Sequence, residues 1–170
     1  MNCCTPNAEP SETSTAAVEA VTNSRDGSET QCCGNCKGQN RPVSRKTVLL
    51  MVKPHLLEQA MIGTYSFCAT RECPVVYFEE QGSHKFTIND LRVRVGVKES
   101  GDPIPLCYCF GFDESHMRDE ITRTGKTTIP TRISTLIREG LCACESRNPA
   151  GVCCMGEVNR AVTRLTENER

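Results

Sequence analysis

The apolar positions of the chain fall into three regimes: a polar beginning, a middle with strand-like runs, and an end with helical spacing. From Met1 to about Thr30, Ser, Thr, Glu, Asn and Ala dominate and no apolar period is sustained, which predicts a flexible tail. Thr47-Val48-Leu49-Leu50-Met51-Val52 is a short, nearly unbroken apolar run that predicts a strand, and Pro54 to Met61 predicts a short helix with Leu56, Leu57 and Met61 on its apolar side. Val75-Val76-Tyr77-Phe78 and Lys85-Phe86-Thr87 predict further strands. In Leu91 to Val97, Val93, Val95 and Val97 alternate with Arg92, Arg94 and Lys98, the two-residue period of a strand wet on one face.

Beyond Ser100-Gly101-Asp102-Pro103-Ile104-Pro105, whose turn residues and two prolines predict a stiff link, the period changes. Asp113 is placed to cap a helix carrying Met117 and Ile121 and ending at Gly125. Thr128 is placed to cap a second, with Pro130 just inside it, Ile133, Leu136 and Ile137 on its stripe and Gly140 after it. A third should start at or just after Cys154, with Val158, Ala161, Val162 and Leu165 on one face. The expected organisation is α+β: a tail over 1–30, an antiparallel β module over 31–99, a linker over 100–105 and a small helical module over 106–170.

Composition sharpens this picture. The chain has 170 residues and is 38% hydrophobic, with thirteen Cys against five Phe, three Tyr and no Trp, so thiols occupy much of the share that large apolar side chains usually hold. Small modules with such thin cores need help from metal or another staple. An odd cysteine count, no charged-then-apolar leader and no apolar run long enough for a bilayer argue against a secreted disulfide scaffold and against membrane insertion. The expected setting is the reducing cytoplasm, where clustered thiols are more often metal ligands than bridges. A net charge of −1 gives no pull towards nucleic acid.

Two cysteine groups carry the chemistry. Cys33 and Cys36 have Cys-x2-Cys spacing with Gly34 between them, and Cys68 and Cys73 have Cys-x4-Cys spacing. Two such pairs flanked by strands predict a structural Zn2+ site in a zinc-ribbon-like sheet, closed by four thiolates and unsuited to hydrolysis. The alternative is buried free cysteines acting as small hydrophobes. Cys32 is a spare that could exchange with Cys33, and Cys3-Cys4 is either a pair of exposed thiols or a mobile soft-metal hook. The second group comprises Cys107, Cys109, Cys142, Cys144, Cys153 and Cys154, at the two ends of a segment that should fold back on itself. Cys107-x-Cys109 must wrap around its ligand rather than sit on a helix face, which suits a [2Fe-2S] cluster. Cys154 near a helix start would have its thiolate stabilised by the dipole. Cys107, Cys109, Cys142 and Cys154 are the favoured ligands, with Cys144 and Cys153 as alternates. The pair left over could bind Cu(I) as a dithiol or merely pack. No Ser-His-Asp set, phosphate loop or paired-carboxylate arrangement is present, and His55, His84 and His116 lack ligand spacing. A carrier rather than an enzyme is expected.

The second group resembles the [2Fe-2S] module of bacterioferritin-associated ferredoxins, which close with a tight Cys-x2-Cys where this chain has the Glu145 to Val152 loop. The longer pattern is Cys-x2-Cys, then Cys-x4-Cys before Pro74-Val75-Val76-Tyr77-Phe78, Leu91-Arg92-Val93-Arg94-Val95-Gly96, Cys107-Tyr108-Cys109-Phe110-Gly111-Phe112, Cys142-x-Cys144-Glu145, Asn148-Pro149-x-Gly151 and Cys153-Cys154-Met155-Gly156. From Cys33 to Leu165 it is similar to the N-terminal region of CopZ-type metallochaperones. That resemblance implies zinc on Cys33, Cys36, Cys68 and Cys73, and a [2Fe-2S] cluster on Cys107, Cys109 and one member of each later pair. It also implies a role in copper handling, including reduction of Cu(II) to Cu(I), with a copper-transporting ATPase, a copper chaperone or a redox protein as partner. Archaeal members continue into a heavy-metal-associated domain with a Met-x-Cys-x-x-Cys loop, and this sequence ends at Arg170 without one. The alternative expectation is therefore a [2Fe-2S] electron carrier or regulator with no metal cargo.

Overall fold

The structure, a computed structural model, describes residues 32–167; Cys3-Cys4 and the predicted tail lie outside the described residues. The first half is built on a four-stranded antiparallel sheet in the order β1 (Asn40–Val43), β2 (Tyr65–Cys68), β3 (Val75–Glu79), β4 (Lys85–Thr87). Arg41 faces Phe67 across the β1–β2 pair and Phe67 faces Tyr77 across the β2–β3 pair. Every residue of β2 is buried, as are four of the five in β3, so these strands read as continuous apolar runs. The strands at Val75 and Lys85 stand where the pattern predicts them.

The run Thr47–Val52 is not a strand. It forms the helix α1 (Arg45–Met51), because Ser44 takes the N-cap position and its hydroxyl accepts the Thr47 amide at 3.1 Å. Thr47, Val48 and Met51 face inward while Leu50 is 45% exposed. A six-residue apolar run fits either period, and a cap three residues upstream decides it. After α1 a turn at Pro54–Leu56 leads into the short α2 (Leu57–Ala60), as predicted, but Met61 is 60% exposed and Ala60 makes the buried contact.

Leu91–Val97 is also not a strand. Only Leu91 pairs, in an isolated bridge to Val52. Arg92 then turns its guanidinium onto the end of α1, donating to the carbonyls of Val52 at 2.6 Å and Leu49 at 3.4 Å. The chain bends, Val93 is left at the surface, and Val95 enters the core ahead of a tight turn at Gly96–Lys98. The valine alternation is real, but the arginines are occupied as helix caps and ion pairs rather than as a wet sheet face.

The second half opens with a hairpin of β5 (Pro105–Cys107) and β6 (Phe112–Asp113), followed by α3 (Glu114–Thr124), α4 (Ile129–Arg138), α5 (Cys144–Arg147) and α6 (Met155–Glu167). Asp113 caps α3 by accepting the His116 amide at 3.0 Å, and Gly125 ends it at φ 74°, a left-handed conformation that glycine adopts without cost. Thr128 precedes α4, but its hydroxyl turns away to donate to Glu120 at 2.7 Å. Met117, Ile121, Ile129, Ile133, Val158, Ala161 and Leu165 join Cys107, Cys144 and Cys154 in one core.

The two halves are stitched together. The Thr47 hydroxyl donates to the Glu145 carbonyl at 2.5 Å, the Tyr77 hydroxyl donates to the Pro149 carbonyl at 2.7 Å, and Ala150 packs on the first core. The segment between them is pinned as well: Arg118 pairs with Asp102 at 2.6 Å and the Glu114 amide donates to Ile104 at 2.9 Å. Among the described residues, no helix is long and apolar enough to cross a membrane.

Candidate metal centres

Cys33 and Cys36 sit on a tight turn before β1, Cys68 ends β2, and Cys73 lies just before β3. Pairing of β1 with β2 and of β2 with β3 therefore folds two sequence-distant pairs onto one end of the sheet. The four sulfurs all lie within 4.8 Å of one another, with Cys33 to Cys73 at 3.9 Å and Cys36 to Cys68 at 3.6 Å. A tetrahedral Zn2+ with Zn–S bonds of about 2.3 Å demands sulfur–sulfur edges of about 3.8 Å. The spacing fits that ion.

The local backbone explains the fit. The Lys37 amide donates to the Cys33 carbonyl at 2.8 Å, Lys37 takes a left-handed φ of 56°, and the Gly38 amide then points at Cys36 Sγ at 3.4 Å. A side chain at Gly38 would collide with the Thr70 hydroxyl. That hydroxyl, 3.3 Å from Cys36 Sγ, is the main reason the Cys36 thiol is lowered to about 6. Burial pushes Cys68 up to about 12, so without a cation its proton stays on. Asn35 donates to Cys73 Sγ at 3.3 Å. Thr70 and Asn35 were not legible as site residues, although both sit inside the two cysteine spacings. Cys32 is exposed beside the fully buried Cys33 and stands outside the quartet.

The second group gathers where the β5–β6 hairpin, α5 and the start of α6 meet. Cys109 Sγ lies 3.7 Å from Cys144 Sγ and accepts the Ala143 amide at 3.3 Å. Cys154 is hydrogen-bonded to both Cys107 and Cys144. Cys144 is the hub of the group, beside Cys109 and coupled to Cys142, Cys153 and Cys154, and Cys154 is coupled in turn to Cys107. Cys107, Cys144 and Cys154 are buried, Cys109 and Cys142 half-buried and Cys153 exposed. Cys144, not Cys142, is the sulfur against both Cys109 and Cys154, and Cys142 and Cys153 reach the group through Cys144.

Protonation follows from those contacts. Cys154 holds its proton well above the ordinary thiol range because Cys107 and Cys144 accept from it. The same two bonds draw Cys107 down to about 7 and Cys144 down to about 5, while burial pushes Cys109 up to about 12. Such an array of clustered, partly anionic sulfurs is a ligand set for soft metal. His55, His84 and His116 are all exposed; His84 lines a surface pocket that Cys33 also borders, and His116 Nδ1 accepts the Asp113 amide at 3.3 Å.

Comparison with known proteins agrees with this geometry. The family model of the CopZ zinc-binding domain matches residues 30–92. The copper chaperone CopZ of Archaeoglobus fulgidus is 33% identical over 128 residues, covering 75% of this chain and 60% of that protein's length. The X-ray structure of the Archaeoglobus fulgidus CopZ N-terminal domain superposes with a TM-score of 0.65 at 32% identity, covering 76% of this chain and 96% of that domain. The fold is accordingly that of the CopZ N-terminal domain, a mixture of helix and antiparallel sheet. The chain thus belongs to the family of the CopZ N-terminal domain, carries its zinc-binding domain, and is a homologue of the Archaeoglobus copper chaperone.

Proposed function

We propose that this protein is a metal-handling carrier with two sulfur centres, a structural zinc on Cys33, Cys36, Cys68 and Cys73 and a redox-active [2Fe-2S] cluster in the helical half. The observation that carries the reading is the second array: sulfurs from a hairpin and two helix starts gathered in one core with Met117, Ile133 and Val158. A quartet whose sulfurs all lie within 4.8 Å suits one ion, whereas the second, more widely spread set suits a larger inorganic core. Its ligands are Cys107, Cys109, Cys144 and Cys154. Cys144 replaces the sequence preference for Cys142 because its sulfur touches Cys109 and Cys154. When bound, such a cluster supplies one-electron transfer at a potential set by hydrogen bonds to its sulfurs and by exposure.

The protein's own residues shape that centre. The Ala143 amide donates to Cys109 Sγ, the apolar wall keeps water from its inner side, and half-buried Cys109 and Cys142 mark the face open to a partner. Homology to a copper chaperone favours a carrier over an enzyme and supplies the cargo class: copper or another thiophilic ion, reduced from Cu(II) to Cu(I) and passed to a copper-transporting ATPase, a copper chaperone or a redox protein. Anaerobic reconstitution with iron and sulfide should give a coloured protein with an EPR signal on reduction; a colourless, silent product rejects the cluster. Cys144→Ser should abolish that spectrum and Cys142→Ser should keep it, and the opposite pattern rejects the ligand assignment. Titration of Cu(I) against a competing chelator should reveal tight stoichiometric binding, and none would reduce the protein to an electron carrier without cargo.

A further inference from the structure

The loop from Glu145 to Val152 separates Cys144 from Cys153-Cys154, and two of its carbonyls are held from the other half of the molecule. The Thr47 hydroxyl on α1 donates to the Glu145 carbonyl at 2.5 Å. The Tyr77 hydroxyl on β3 donates to the Pro149 carbonyl at 2.7 Å in a fully buried bond. Ala150 packs against the first core, and a side chain at Gly151 would press on Val43 of β1. Within the loop, the Asn148 side chain donates to the Val152 carbonyl at 2.7 Å and its Oδ1 accepts the Ala150 amide at 3.0 Å, while the Gly151 amide donates to the Asn148 carbonyl at 2.8 Å and the Asn148 amide to the Cys144 carbonyl at 3.0 Å.

The anchor residues lead back to the cysteine quartet. Tyr77 stands opposite Phe67 in the β2–β3 register, with their rings edge to face at 6.1 Å, and Phe67 precedes Cys68. Tyr77 is 0% exposed, so the ring is fixed by the sheet and its hydroxyl has one direction in which to point. Thr47 is likewise 0% exposed and held by a 2.8 Å bond to the Ser44 hydroxyl. Rigid groups of this kind set a loop's geometry rather than following it.

We infer that Tyr77 and Thr47 are positioning residues for the second sulfur array: the zinc-binding half templates the Glu145–Val152 loop, setting the separation of Cys144 from Cys154, so the second centre takes its shape only after the first half has folded around its own metal. This rests on the two-centre reading above. It also gives an order of assembly, zinc before the second centre.

The test uses the full chain, zinc-loaded and free of iron, with Tyr77→Phe and Thr47→Val. Each removes one hydroxyl donor and leaves the buried shape in place, stranding a carbonyl. Loss of one buried hydrogen bond should raise the local opening of residues 145–152, read by amide hydrogen exchange, on the order of tenfold, with exchange in α3 and β2 unchanged. The modification rate of the exposed Cys153 thiol should rise with it. After reconstitution, the EPR line shape of Tyr77→Phe should differ from that of the parent, a change that a merely structural role would not produce. Removing zinc with a chelator should give the same loosening of 145–152 in the parent. In Tyr77→Phe or Thr47→Val, unchanged exchange over 145–152, or an equal increase in every element, overturns the inference. Because the exchange arm contains no iron, its failure is distinct from failure of the protein to take up a cluster.

Discussion

Replacing Cys68 by serine tests the first centre most sharply. Cys68 is 0% exposed and ends β2, with its sulfur 3.6 Å from that of Cys36. The sheet around it has strands of only 4, 4, 5 and 3 residues, so its own core leaves a small margin. A structural zinc contributes on the order of 10–16 kcal/mol, comparable with the whole stability of a typical domain, about 5–15 kcal/mol. Forfeiting even one quarter of the metal's contribution is a loss of about 3 kcal/mol. At roughly 4–8 °C per kcal/mol for a domain of this size, the melting temperature should fall by about 12 °C or more. Thermal unfolding followed by circular dichroism, with zinc measured on the same sample, reads both consequences. A Cys68→Ser protein that keeps its zinc and melts within about 3 °C of the parent would refute the reasoning.

Two further outcomes concern the helical half. Glu120 accepts from the Thr127 hydroxyl at 2.6 Å, the Thr128 hydroxyl at 2.7 Å and the Thr128 amide at 2.9 Å, bonds that lower its carboxyl to about 2. A carboxyl depressed in the folded state contributes stability that is fully present above its ordinary value of 4.5 and lost as pH falls through about 2. Glu120→Gln should therefore melt below the parent at neutral pH, with the gap closing between those two values; a gap that stays constant to pH 2 argues against it. Glu114, buried at the start of α3, pairs with Arg164 of α6 at 2.7 Å and with Arg118 at 3.7 Å. Arg164→Ala should cost about 2 kcal/mol by urea denaturation, and Arg164→Lys should recover part of it.

How much of this was legible in the sequence depended on whether a local signal decided the geometry. Caps and glycines announced α3 and α4, because Asp113, Gly125 and Gly140 act on their immediate neighbours, and the face of Val158, Ala161, Val162 and Leu165 announced α6. The cysteine spacings brought out the tight quartet, since a turn and a strand pairing are enough to bring Cys33, Cys36, Cys68 and Cys73 within 4.8 Å. What stayed hidden depends on distant partners. Thr47–Val52 has a period that suits strand or helix, and Ser44 resolves it. Arg92 reads as a solvated strand position until the end of α1 is beside it. The choice between Cys142 and Cys144 turns on α5, a four-residue helix too short to leave a period. The bonds of Thr47 and Tyr77 to the Glu145–Val152 loop join residues 98 and 72 positions apart, and no local pattern foretells them.

The central claim is that two different metal centres share this one chain, and metal and sulfide content of protein purified without oxygen decides it. The account predicts about one zinc, about two iron and about two acid-labile sulfide per chain, the contents of one mononuclear site and one di-iron cluster. About two zinc with neither iron nor sulfide, from cells supplied with iron, would contradict it.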